Sequence, residues 1–212
     1  MRYLVGMEKE AATKGYVGDI TQKGAAVLRE VAREIAADEI GAPHLVKLIA
    51  RMKKMMAGEK HGVALAAPQA GEALRLFVVK GRAFRPEKTE KEKVLEKLET
   101  ESADIKKVTE PKVVYADRVF INPVIARHSR TQEIMEEGCL SVHGFYGAVN
   151  RYEKATVHAL DEHGNKIVYH GAGLIAQIFQ HEIDHLNGIL YIDKAVTLKR
   201  VREKKEKESS VE

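Results

Sequence analysis

Residues 171–187 constrain this chain more than any other stretch. Leu174, Ile175, Ile178 and Ile183 recur at helical spacing, and Gly188 supplies a stop. A helix this apolar belongs inside a fold, yet it carries His181, Glu182, Asp184 and His185. Burying those groups is costly unless each finds a partner or a use. The run His181-Glu182-Ile183-Asp184-His185 reads H-E-x-x-H. On an α-helix, positions i and i+4 share a face one turn apart, so two imidazoles can converge on one metal ion. Glu182, one position on, can then reach a water at that ion without ligating it, and can carry its proton. The bland alternative is a helix whose polar side faces water.

The elements around this helix read mostly as strands. Residues 75–80 (R-L-F-V-V-K) and 118–126 have strand character, with Pro123 predicting an edge or a bulge. Residues 155–160 and 166–170 flank D-E-H-G-N and predict a hairpin. Residues 189–192 predict another strand, and 196–208 a charge-laced terminal helix. One further helix is expected at 45–56, where Leu45, Leu48, Ile49, Met52, Met55 and Met56 make one apolar stripe. The class that follows is α+β, with mixed, mostly antiparallel strands packed around a central helix carrying H-E-I-D-H. The expected organisation is an extension at 1–18, a single catalytic domain at 19–195, and a charged tail at 196–212. Within the domain, 82–112 is a solvated insertion in which about half the residues are charged, with at most a helical turn around Val94, Leu95 and Leu98.

Composition narrows the classes. The chain has 212 residues, 44% hydrophobic and 31% charged, with a net charge of +4. Acids and bases interleave almost everywhere, which argues against a dedicated or sequence-specific nucleic-acid surface. No apolar run approaches a membrane span, and residues 1–6 are too short an apolar patch for a signal peptide. The expected location is the cytoplasm. Cys139 is the sole cysteine, so no internal disulfide can form.

A tetrahedral catalytic ion needs a third protein ligand and one open position. Downstream of His185 the chain offers only Asp193 and the charged tail. Upstream lies Glu137-Gly138-Cys139-Leu140-Ser141, and its thiolate would complete a Cys-His-His set, with Gly138 letting another backbone approach closely. A third element, Gly62-Val63-Ala64-Leu65-Ala66-Ala67-Pro68-Gln69, is built from small residues stiffened by Pro68, leaving Gln69 to donate hydrogen bonds.

These three motifs, in this order, closely resemble those of the peptide deformylases: G-φ-G-L-A-A-P-Q, E-G-C-L-S and Q-H-E-x-D-H-L. Here they stand as G-V-A-L-A-A-P-Q, E-G-C-L-S and Q-H-E-I-D-H-L, and the likeness runs from about Asp19 to Asp193, Ile121-Asn122-Pro123 included. The resemblance implies one divalent ion on Cys139, His181 and His185, typically Fe2+, with Zn2+, Ni2+ or Co2+ able to take the same place. It implies removal of the formyl group from N-formylmethionyl peptides, releasing formate, with Glu182 moving the proton and the Gln69 amide and Leu140 backbone N–H holding the oxyanion. Glu137 and Arg151 would pair to orient the cysteine strand. Val63, Met135, Leu174 and Ile178 would line the methionine pocket, with Ala64 and Gly138 beside the substrate backbone.

Two positions depart from the family pattern. Ala64 replaces a usual glycine, where a methyl would narrow the cleft or force a new backbone angle. His143 replaces a usual proline, which would loosen residues 143–148. Two other readings stay in view: an H-E-x-x-H metallopeptidase, which leaves Cys139 and Gln69 unexplained, and a catalytically weakened homologue that binds nascent chains or ribosomes. The basic tail is a candidate ribosome contact.

Overall fold

A computed structural model describes residues 20–59, 62–85 and 115–201. The expected extension at 1–18 and the helical turn near Val94 lie outside these. Helix α1 (Pro43–Gly58) starts on a proline, whose missing N–H costs nothing in a first turn. Strands β1 (Ala64–Ala66), β2 (Leu76–Val79), β3 (Arg118–His128), β6 (Lys154–Leu160) and β7 (Lys166–Ala172) form one antiparallel sheet in the order β1-β2-β3-β6-β7. Strands β4 (Gln132–Cys139), β5 (Val142–Tyr152) and β8 (Thr197–Arg200) form a second, in the order β4-β5-β8. The helix carrying H-E-I-D-H, α2, spans Leu174–Leu186, and a single turn, α3, spans Tyr191–Lys194.

Alternation along the strands explains why β1 and β2 are buried throughout. Leu65, Leu76, Val78, Val119 and Ile121 face α1 and pack with its Leu45, Leu48, Ile49, Met52 and Met56. Ala64, Ala66, Phe77, Val79 and Phe120 face the other way and pack with Ile178, Phe179, Ile183 and Leu186 of α2. The sheet is thus a partition between two helices. A third cluster, with Leu28, Val142, Val149, Leu190 and Tyr191, lies under the smaller sheet.

Several sequence expectations are corrected. Residues 189–192 are not a strand, because Asp193 accepts the Leu190 N–H at 2.8 Å and closes the turn α3. Residues 197–200 are a strand rather than part of a helix. A charged helix there has no apolar face to bury, whereas β5 offers a row of backbone groups that Thr197–Arg200 satisfies. Helix α2 begins later than Gly171 because β7 continues to Ala172 and Gly173 makes the turn at φ 52°. Leu174, expected in the core, is 51% exposed at the first turn of α2. The Pro123 expectation takes the form of a bulge: the β3–β6 register shifts between Ile121 and Val124, and Asn122 sits at φ 49°. Asn122 uses that bend to clasp the backbone of Ile35, accepting from its N–H at 2.9 Å and donating to its carbonyl at 2.8 Å.

Candidate metal centre

Helix α2 is buried on nearly every side, so its polar groups need partners within the protein. Gln180 hooks the backbone of Tyr152 on β5, accepting from its N–H and donating to its carbonyl, both at 2.9 Å. Asp184 accepts from Arg151 and from Lys194, each at 2.6 Å. Arg151 in turn grips Glu137 at 2.7 and 3.0 Å, and Glu137 meets His181 Nδ1 at 2.8 Å. A chain of alternating charge, Lys194–Asp184–Arg151–Glu137, thereby ends on His181. Fixing Nδ1 leaves the Nε2 of His181 as the atom available to an ion.

Strand β4 delivers Cys139 to the same place. One ligand atom from each of Cys139, His181 and His185 lies within 4.8 Å of the others, close to twice the 2.0–2.3 Å or so of a transition-metal bond. His185 Nε2 is 3.2 Å from the sulfur. Burial first, and the charge of His181 second, push the His185 pKa well below that of ordinary imidazole, so it presents a lone pair. Burial works against a proton on His181 too, but its hydrogen bonds to Cys139 and Glu137 outweigh it and raise its pKa well above the usual value. A soft thiolate with two imidazoles is a fitting donor set for a divalent transition metal. Among the described residues, the buried polar side-chain atoms left without a partner are Glu182 Oε2 and His185 Nδ1.

Glu182 is 4% exposed. Burial lifts its pKa to about 7, with the charge of His181 opposing the rise. A carboxylate so placed is poised to take and return a proton near neutral pH. Gln69 arrives on the tight turn Ala67–Ala70. Its Oε1 is held by the Ala66 N–H at 2.9 Å, which aims Nε2 at Ser141 Oγ, 3.1 Å away, and at Cys139 Sγ, 3.4 Å away. The Leu140 carbonyl accepts from Gln22 Nε2 at 3.1 Å, which steadies the loop just after the cysteine.

Of the other expected residues, Val63 and Ile178 share one apolar cluster, while Met135 is half-buried on β4 and Leu174 is exposed. Gly138 is close-packed, though by a ring rather than a backbone: a Cβ there would sit 2.8 Å from the Tyr146 ring. Ala64 sits in β1 opposite Val79, with its methyl packed on the α2 side. Its φ is not positive, so the methyl forces no unusual backbone angle. His143 lies in β5 just after Val142, which pairs with Cys139 of β4, and residues 145–148 of the same strand pair with β8. The sequence reading overlooked Gln22, Ser141, Gln180, Asp184 and Lys194 as supports of the site. Gln180 and Asp184 stand inside the quoted motif, and their burial in an apolar helix was the available signal.

With this geometry in place, comparison with known proteins is decisive. The family described as "Polypeptide deformylase" matches residues 17–201. The chain belongs to the polypeptide deformylase family. Its deformylase relatives include the chloroplastic/mitochondrial peptide deformylase 1A of Arabidopsis thaliana, 37% identical over 194 residues, 92% of this chain. This chain spans only 66% of that plant protein's length. The peptide deformylase of Carboxydothermus hydrogenoformans is 36% identical over 85% of this chain and 95% of its own. A deformylase crystal structure from Acinetobacter baumannii, with Met-Ala-Ser bound, matches at a TM-score of 0.65 and 30% identity, covering 84% of this chain and 98% of that one.

Proposed function

We propose that this chain hydrolyses the N-formyl group of formyl-methionyl peptides, releasing formate and a free amino terminus. The observation that carries the proposal is the convergence of Cys139, His181 and His185 beside the buried, unpaired carboxylate of Glu182, in a chain of the deformylase family. A divalent ion on those three residues supplies a Lewis acid that polarises the formyl carbonyl and makes water more acidic. Fe2+ is the proposed ion, with Zn2+, Ni2+ and Co2+ fitting the same donors. Glu182 takes the proton of the attacking water and hands it to the departing amine. The Gln69 amide and the Leu140 N–H donate to the oxyanion as charge builds on it. Val63 and Ile178 form the floor of the methionine pocket, with Leu174 and Met135 at its margin. Ala64 and Gly138 flank the peptide backbone. Glu137 and Arg151 hold His181 and the cysteine strand in register.

The test is direct. Protein purified without oxygen is assayed for bound metal, and for formate release from formyl-Met-Ala-Ser beside its unformylated and acetylated counterparts. Metal bound at one ion per chain, with formate released from the formyl peptide alone, supports the reading. Cleavage at internal peptide bonds would instead favour the metallopeptidase.

No helix among the described residues is long and apolar enough to cross a membrane. The cytoplasm is the proposed compartment, in keeping with a thiol that must stay reduced to bind metal. The charged tail at 196–212, where six lysines and arginines stand beside four glutamates, is the proposed ribosome contact. Truncation after Val201, which keeps β8 whole, should weaken ribosome cosedimentation in a salt-sensitive way.

A further inference from the structure

On the face of the five-stranded sheet opposite α2, strands β3, β6 and β7 run on past α1 and frame a recess of about 360 Å³. Arg127 pairs across to Thr156, and Thr156 to His170, so these three form one row on a common face. The next row along places Lys154 between Ser129 and Ala172. Thr156 Oγ1 and His170 Nδ1 share a hydrogen bond of 3.0 Å. The side chains of Arg127 and Lys154 are exposed and make no hydrogen bond or ion pair among the described residues. No acidic residue lines the recess. Glu153, next in sequence to Lys154, lies at the bend before β6, where the Thr131 hydroxyl donates to its carboxylate at 2.8 Å.

We propose that this recess binds the phosphodiester backbone of a nucleic acid, without regard to sequence. Arg127 and Lys154 contact successive phosphates, and Thr156 and His170 add hydrogen bonds between them. The rows are about 7 Å apart along the strands, a scale on which phosphates recur in an extended strand. Exposed ion pairs contribute only about 0–1 kcal/mol each, so a lone phosphate would hold poorly and the occupant must bring several charges in series. A planar bilayer cannot enter a recess between strands, which disfavours a lipid surface. The site lies across the sheet from α2, so it is separate from the metal centre.

The experiment is fluorescence anisotropy of an end-labelled RNA, with a DNA of the same sequence in parallel, titrated with the full chain and with R127Q/K154Q between about 50 and 200 mM salt. Binding of either nucleic acid should weaken on the order of ten-fold in the variant, and the salt slope should fall by about 1.4–1.8 for two lost contacts. Formate release should not change, which also reports that the variant is folded. Binding and slope unchanged in R127Q/K154Q would overturn the proposal. So would binding confined to phosphatidylserine vesicles and lost in the variant, or displacement of the RNA by micromolar inorganic phosphate.

Discussion

Replacing Glu137 by glutamine should cost the metal-free protein about 3 kcal/mol at neutral pH, and much less in acid. Burial works to raise the Glu137 pKa, but hydrogen bonds from His181 and Arg151 override it and hold the value at about 2, against 4.5 for the free side chain. That difference of about 2.5 units, at 1.36 kcal/mol each, is about 3 kcal/mol. A depressed carboxylate contributes stability that is fully present above its unfolded pKa and lost as pH falls toward the folded one. The wild-type advantage should therefore be constant from about pH 5.5 to 6.5, begin to shrink near 4.5, and be down to about 1 kcal/mol at pH 3. Urea unfolding of both proteins at a series of pH values measures it, with metal removed so that its release at low pH does not mimic the effect. Two stability curves running parallel from pH 7 to pH 3 would refute the assignment of a charged Glu137 clamped between His181 and Arg151.

Glu182→Gln should keep its metal while formate release falls by about two to four orders of magnitude, because in the proposed mechanism the residue moves protons and ligates nothing. Metal analysis beside steady-state kinetics separates the two effects. Gln69→Ala should lower kcat by about 10²–10³, the usual loss for one oxyanion donor, with little change in metal content. Activity should decline on the acid side as Glu182 gains its proton. Burial puts that step at about 7, and a bound cation must lower it, so the inflection in kcat/KM falls below 7. An acid limb unmoved when metal is exchanged for one of different Lewis acidity would count against Glu182 as its source.

Local patterns were legible in the sequence, while arrangements set by distant partners were not. The stripe from Leu45 to Met56, the hairpin around Gly164 and the H-E-x-x-H helix carry their own periodicity, and each forms, the last starting three residues late at Leu174. Thr197–Arg200 carries helix-like charge spacing, yet its conformation is decided by the free edge of β5, some fifty residues earlier in the chain. Leu190 likewise depends on Asp193, which takes its N–H and turns a strand-like run into a helical one. At the candidate site, the three motifs name Cys139, His181, His185, Glu182 and Gln69, and the fold brings the three donors and Gln69 together. They cannot say that Lys194 ends a relay through Asp184, Arg151 and Glu137, because that relay crosses β4, β5, α2 and α3.

The sheet that separates α1 from α2 gives the protein a parity. On β2, the even positions Leu76 and Val78 serve α1, and the odd positions Phe77 and Val79 serve the helix that bears the histidines. A cavity cut at an even position should loosen the scaffold and leave the chemistry alone. The same cut at an odd position reaches the catalytic helix through one layer of side chains. A scan of truncations along β2 should therefore beat with a period of two, stability answering at every step and turnover at every other one.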